Sequence, residues 1–319
     1  MKHKILPVVL IASLLLLLPG CGGSPATSRS LPEEAEPDDV LCIGVALYGV
    51  ENDYMIRFAS AASQYAKEQN IELELYAGDY DAATQIGQIE EMIDRHVDGI
   101  ILVPHSAVDN SSCVDKAAEA GVPIISVNTR VEHEKLVAHI GSDDVEAGKL
   151  LVQETAKALD GQGVIAILEG PIGQSAQIDR HEGMKKALQS YENIQVISCK
   201  TANWSELEAR IVVQKWLETF DRLDAIIAES DSMALGAVAV CREQNREDII
   251  IFGIDGSREG VSAVQRGEMW MTIFQNAEEQ AQTALRVIQA AIAGERVDAE
   301  YWVPLEIVTK DNAADFWQE

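Results

Sequence analysis

From Leu41 onward the chain alternates short apolar runs with longer stretches whose apolar residues recur at helical spacing. The runs are Cys42–Leu47, Ile71–Tyr76, Gly99–Val103, Pro123–Val127, Val164–Leu168, Ile194–Cys199, Ala225–Ala228, Ile249–Gly253 and Met271–Phe274. Between them the pattern predicts helices over Tyr54–Gln69, Ala82–Arg95, Val145–Leu159, Ala176–Gln189, Glu206–Thr219 and Met233–Gln244. Ser205 followed by Glu208 has capping-box spacing and puts a helix start directly after Trp204. Short, wholly apolar strands separated by helices argue for parallel sheets covered on both faces. Right-handed crossovers then gather every strand-to-helix loop along one edge.

The alternation divides near Ile140–Asp144, after four strand–helix units and the short apolar segment Leu136–Ile140. Two similar halves predict an α/β architecture of two doubly wound parallel-sheet lobes, Rossmann-like, joined by hinge strands around a cleft. A single core stops growing at about 250–300 residues, which favours this division. A closed barrel of eight units would suit about 250 residues as well, and periodicity alone does not separate the two. The expected lobes are 40–142 plus 276–302 and 143–275 plus 303–319. Hinge strands are expected near Ile140–Asp144, Gln275–Ala277 and Glu300–Pro304.

Ahead of this body lies a sorting signal. Lys2 and Lys4 precede an apolar stretch, Ile5 to Leu18, too short for a comfortable membrane span and laid out like a secretory signal peptide over residues 1–20. Its end, Leu18-Pro19-Gly20-Cys21, resembles the bacterial lipobox. That resemblance implies an acylated Cys21 as the first mature residue and a lipid anchor in the bacterial cell membrane, each buried CH₂ contributing about 0.8 kcal/mol. An ordinary secretory signal with a chance cysteine is the plainer alternative. Residues 21–39 run through Gly, Ser, Pro and Thr into Glu33, Glu34, Glu36, Asp38 and Asp39, a flexible acidic tether with little to bury.

Charge narrows the partners. Across 319 residues, 52 acidic side chains stand against 25 basic ones, a net charge of −27. Nucleic acid and anionic lipid surfaces are therefore poor partners, and contact with the membrane is expected only through the anchor. The four cysteines after Cys21, namely Cys42, Cys113, Cys199 and Cys241, form no CxxC pair and have no histidine at ligand spacing, so no metal site and no cofactor are expected. Cys42 and Cys199 fall in strand-like runs and are expected in the core; disulfide pairing stays open. Gly170–Ser175 superficially resembles a phosphate loop but lacks the GxxxxGK[ST] pattern, and neither HExxH nor GxSxG occurs. Among the scattered histidines, His105 is the one placed to approach the strand ends.

Those strand ends carry polar and aromatic residues that core packing does not require. They are Tyr48 to Met55, Asn128-Thr129-Arg130, Glu169 to Ser175 with Arg180 one turn further, Thr201 to Trp204, Glu229 to Gly236, Phe252 to Gly256, and Gln275-Asn276. In open α/β sheets, ligands bind outside the carboxyl ends of the strands. Bland roles are available for each: Asp255 as a cap near Ser257, Trp204 as a lid on a helix, Arg180 paired with Glu182 or another surface acid, Tyr48 and Tyr54 as rim packing, Ser230 as an N-cap. Their recurrence at successive strand ends favours a shared site.

The ordered series Ser230-Asp231-Ser232-Met233-Ala234-Leu235-Gly236-Ala237, Phe252-Gly253-Ile254-Asp255-Gly256 and Val303-Pro304 with Lys310-Asp311-Asn312 resembles the periplasmic sugar-binding family of ribose-binding and glucose/galactose-binding proteins. The resemblance runs from about residue 41 to the C-terminus. It implies contacts from Tyr48, Asn52 and Tyr54, an Asn128 that holds sugar hydroxyls, and an Arg180 that donates to the ring oxygen and hydroxyls. Trp204 and Tyr54 would stack on opposite sugar faces; Ser230 stands at a position usually Asn; Asp255 is the acceptor and Gln275 the last amide. Thr129 replaces an Arg of the ribose type, with Arg130 expected to compensate one place later. Val103 replaces an Asn, Ala176 replaces an Asp of the glucose/galactose type, and that type's calcium loop is missing around Leu159–Val164. Neither named sugar is therefore assigned.

The chemistry suits a polyol on its own terms. Aromatic rings match apolar C–H faces, while Asn, Asp, Arg and Gln supply planar partners for a rim of hydroxyls. An unpaired buried polar group costs about 1–3 kcal/mol, so such a site discriminates by hydroxyl pattern. The resemblance implies a monomeric, non-enzymatic solute-binding lipoprotein that closes on a monosaccharide or polyol and delivers it to an ABC permease. A receptor module presenting a sugar or furanosyl autoinducer to a sensor kinase or chemoreceptor would use the same crevice. An enzyme acting on sugars would need an acid–base pair from Asp255, Glu169 or Asp231. A repressor is disfavoured, because the signal sequence stands where a helix-turn-helix would.

Overall fold

A computed structural model of the chain describes residues 40–317. The signal segment 1–20, Cys21, the tether 21–39 and residues 318–319 lie outside the described residues. The apolar runs become strands because their side chains can be covered from both sides; Gly99–Leu102, Ile124–Val127 and Ala225–Ala228 are buried at every position. The first set of elements is β1 (Cys42–Leu47), α1 (Asp53–Glu68), β2 (Glu72–Ala77), α2 (Ala82–Asp94), β3 (Gly99–Leu102), α3 (Ser111–Ala120), β4 (Ile124–Val127) and β5 (His139–Gly141). The second is α4 (Asp144–Ala158), β6 (Gly163–Glu169), α5 (Ser175–Leu188), β7 (Ile194–Thr201), α6 (Glu206–Thr219), β8 (Ala225–Ala228), α7 (Asp231–Glu243), β9 (Ile250–Asp255), α8 (Arg258–Arg266) and β10 (Met271–Gln275). The chain then returns through α9 (Ala277–Ile292), β11 (Glu300–Trp302) and β12 (Leu305–Thr309).

These strands form two α/β lobes rather than one barrel. The first sheet has the order β11-β5-β4-β3-β1-β2, and the second has β12-β10-β9-β8-β6-β7. The first sheet is parallel throughout, and the second is parallel except at its edge, where β12 runs antiparallel to β10. Val303 and Pro304 carry the chain from β11 in the first sheet directly into β12 in the second, so β12 enters that sheet from the carboxyl ends of its neighbours, and no crossover helix intervenes to make it parallel. Helices α1 and α9 pack together on one side of the first sheet, with α2 and α3 on the other; α4 and α5 oppose α6, α7 and α8 on the second. In both sheets the strand order reverses beside the first strand, β1 or β6, which opens a crevice at the carboxyl ends.

Local chemistry departs from expectation in two places. Ser205 Oγ does accept from the Glu208 N–H at 3.2 Å, but the Glu208 carboxylate takes the Asn203 amide at 2.7 Å instead of closing the box. Asn203 and Trp204 both hold left-handed backbone (φ 51° and 58°), which turns the chain into the helix and brings Asn203 within reach. Among the described cysteines, Cys113 and Cys241 are buried, whereas Cys42 opens its strand and Cys199 lies on the edge strand β7, so both are only half-buried. All four are free thiols. Among the described residues, no helix is long and apolar enough to cross a membrane.

Candidate functional site

The carboxyl ends of both sheets converge on one narrow cavity of about 20 Å³, well below the roughly 300–1,000 Å³ typical of small-molecule sites, so a ligand must part the lobes to enter. Its lining comprises Tyr48, Asn52, Tyr54, Asn128, Arg180, Trp204, Ser230, Asp255 and Gln275, the nine contacts that the family resemblance implied, together with Gln174 and Ala176. Three of these hold left-handed backbone: Asn128 (φ 61°), Trp204 (φ 58°) and Asp255 (φ 114°). Such conformations cost of order 1–3 kcal/mol each and concentrate at functional sites.

Arg180 organises the second lobe's side of the cavity. Its Nε donates to Asp144 Oδ1 at 2.7 Å, Nη1 to the Glu229 carbonyl, and Nη2 to Gln275 Oε1 at 3.3 Å. The guanidinium carbon lies 5.6 Å from the Trp204 ring centre, within cation–π range. A guanidinium has five N–H bonds, so two stay free for a ligand. The Arg180–Asp144 pair is almost wholly buried. Burial raises the Asp144 carboxyl above its usual range while Arg180 pulls it back. Burial opposes the charge on Arg180, but Asp144, Asp255 and Glu229 outweigh it and raise its pKa. The surface pairing considered for Arg180 does not form, because Glu182 is taken by Lys186.

Two rings frame the space. Trp204 donates its indole N–H to Gln174 Oε1 at 2.7 Å, which fixes the ring and leaves Gln174 Nε2 buried with no partner among the described residues. Tyr54 is buried with its hydroxyl equally unpartnered. Tyr48 accepts the Asn52 amide at 3.0 Å, which leaves the phenol proton for another acceptor. Burial pushes both phenols upward, so both stay protonated donors.

Asn52 and Ser230 combine structural and lining roles. Asn52 Oδ1 caps α1 through the Met55 N–H at 2.9 Å, and Ser230 Oγ caps α7 through the Met233 N–H at 3.3 Å. Asp255 does not cap α8; Ser257 does, accepting from the Gly260 N–H at 2.9 Å. Burial raises the Asp255 carboxyl, and the nearby Asp231 charge adds to it. Burial lifts Asp231 too, to about 7, while the hydrogen bonds it accepts from the Thr272 hydroxyl, the Ser257 N–H and the Ser257 hydroxyl pull it back, so of the two carboxyls it is the readier to ionise.

Arg130 does not compensate for Thr129. Its guanidinium is drawn to Glu132 and Asp179, each at 3.1 Å, and it does not line the cavity. Thr129 instead holds the loop after β3 by donating to the Pro104 carbonyl at 2.7 Å. His105 lines an adjoining outer cleft with Tyr80, not the inner cavity. Sequence reasoning gave no contact role to Gln174, which it noted only within a strand-end loop, to Asp144, which it noted only at a hinge, or to Tyr80. Gln174 carried a usable signal as an amide directly before a helix at the end of a glycine-containing loop; Asp144, far from Arg180 along the chain, carried none. Tyr80, in left-handed backbone after β2, packs at a tilt against Tyr48, ring centres 5.5 Å apart, and accepts the Asn52 amide at 3.5 Å.

A two-lobed sheet pair with a polar, ring-framed cavity between strand ends suits a small polyhydroxy molecule, and the comparisons supply the family. Residues 43–296 match the family model described as "Periplasmic binding protein domain". The chain belongs to this family, in its type 1 sugar-binding branch. It is 34% identical over 294 residues to a xylitol-binding protein of Mycolicibacterium smegmatis, covering 92% of this chain and 84% of that one. A solute-binding protein of an ABC transporter from Bacillus halodurans, solved with bound myo-inositol, shares 30% identity at a TM-score of 0.83, covering 86% of this chain and 96% of that one. Another from Actinobacillus succinogenes, solved with bound D-allose, shares 27% identity at a TM-score of 0.82 over 86% and 100% of the two chains. The family is one of extracytoplasmic, non-enzymatic solute binders.

Proposed function

We propose that this protein is a lipid-anchored solute-binding protein that captures a neutral monosaccharide or polyol by closing two lobes around it, for delivery to an ABC permease. The observation that carries this reading is the convergence of Tyr54, Trp204, Arg180, Asn128, Asp255 and Gln275 on one enclosed cavity. The two buried polar atoms without partners, Gln174 Nε2 and the Tyr54 hydroxyl, are groups a ligand hydroxyl would satisfy. Arg180 is already matched by Asp144, which favours an uncharged ligand over a carboxylate or phosphate. Relatives named for xylitol, or solved with myo-inositol or D-allose, bind neutral polyhydroxy compounds.

The lobes in this reading are 40–142 plus 276–302 and 143–275 plus 303–319, moving about the three crossings between the sheets. Acylated Cys21 would hold the monomer at the membrane, and Cys21→Ser should release it to the soluble fraction. The direct test is a thermal-shift screen over xylitol, myo-inositol, D-allose, D-ribose and other pentoses and hexoses. A bound polyol should raise Tm by linkage, by about 2.7 kcal/mol of stabilisation at a hundredfold excess over Kd. Trp204→Ala should lose the shift while remaining folded; a retained shift removes Trp204 from the site. Absence of any hit across the screen overturns the reading.

A further inference from the structure

Two arginines packed with the first sheet reach groups carried by the second, and neither lines the cavity. Arg130 follows β4; its Nε is 3.1 Å from Glu132 of the same loop, and its Nη2 donates to Asp179 Oδ2 on α5 at 3.1 Å. Its backbone N–H donates to Ser175 Oγ, at the start of the same helix, at 2.7 Å. Arg57 lies on α1; its Nε donates to Asp53 of that helix at 2.8 Å, and its Nη2 to the Asp255 carbonyl at 3.1 Å. Its guanidinium carbon also lies 5.5 Å from the ring centre of Trp317, whose indole N–H is fixed on the Gly256 carbonyl at 3.1 Å. Both arginines thus follow one plan: Nε is tied to a carboxylate of its own lobe, and Nη2 is offered across the cleft.

We propose that Arg57 and Arg130 are interlobe clasps, positioning residues that hold the closed form and lengthen ligand residence without touching the ligand. The proposal rests on the reading that the lobes close around a solute. A contact made only when the lobes meet stabilises the closed form alone, so it shifts the population that retains ligand. Opening does not strand either cation, because Asp53 and Glu132 remain beside them. Because the clasps form after encounter, they belong in the dissociation rate and not in the association rate.

The test is stopped-flow fluorescence on the full chain with xylitol, myo-inositol and D-allose as probes. Arg130→Met and Arg57→Met should each raise the dissociation rate about tenfold, with association changed by less than about twofold. Melting of the ligand-free protein should stay within about 2 °C of the parent. Arg57→Lys, which keeps the charge but not the fork, serves if Arg57→Met folds poorly, and it should give an intermediate rate. Arg130→Asp should match the loss, and adding Asp179→Arg should recover the parent rate. Unchanged dissociation, or a charge swap that recovers nothing, overturns the clasp while leaving ligand capture intact. If the parent binds none of the probes, the functional reading fails instead. The clasp, which rests on that reading, then falls with it.

Discussion

Glu229 shows how one side chain is shaped by its surroundings. Its carboxyl is fully buried; one oxygen accepts the Gly170 N–H at 2.8 Å and the other has no partner among the described residues. Burial lifts its pKa well above the usual 4.5, with Gly170 and Arg180 pulling it back. A carboxyl raised in the folded state favours that state below the unfolded value, and this contribution is lost as pH climbs through the folded value. Glu229→Gln keeps an oxygen for Gly170 and removes the titration. The Tm of the variant relative to the parent should therefore rise between about pH 5 and pH 8; parallel melting profiles would show that Glu229 does not titrate there. Gln174 gives a second prediction at this scale. Gln174→Leu removes both the acceptor for Trp204 and the unpartnered amide, so ligand affinity should fall about tenfold or more by isothermal titration. Unaltered affinity would exclude Gln174 from recognition.

The pairing of α4 with α5 decides where Arg180 sits. A methyl group at Gly148 would lie 2.0 Å from the Arg180 carbonyl, and one at Gly183 would lie 2.0 Å from the Val145 carbonyl. The two backbones therefore touch where Asp144 and Arg180 meet. Gly148→Ala should part the helices, cost about 1–3 kcal/mol by chemical denaturation and weaken ligand binding through a displaced Arg180. Normal binding would mean that the pair tolerates the shift. This contact also marks the limit of what the sequence revealed. Strands such as Gly99–Leu102 and Ala225–Ala228 were legible because strands buried on both faces read as unbroken apolar runs. The cavity residues were legible because strand-end loops interrupt those runs with Tyr, Asn, Trp and Asp that no core requires. Asp144–Arg180 was not legible, since it depends on a helix crossing made by two glycines that leave no hydrophobic signature. Strand β11 was named only as part of a hinge: three residues, two of them exposed, carry too short a pattern to show a period.

At the scale of the whole molecule, the two lobes repeat one strand order and are stitched by three crossings, of which two are hydrogen-bonded together. Ser142, in the first crossing, donates to the Val303 carbonyl in the last at 2.9 Å, and the buried Gln280 donates to Ser142 Oγ at 3.2 Å. These bonds lie within the hinge and not across the cleft, so lobe motion need not break them. They should support the open and closed forms alike, which separates them physically from the arginine contacts between lobes. Ser142→Ala should cost about 1 kcal/mol, lowering Tm by roughly 2–4 °C, by the same amount with and without a bound polyol. Because both forms lose equally, Kd should stay within about twofold of the parent. A Tm loss confined to the ligand-bound protein, accompanied by weaker binding, would mean that the Ser142 bond forms during closure and that the hinge itself contributes to ligand retention.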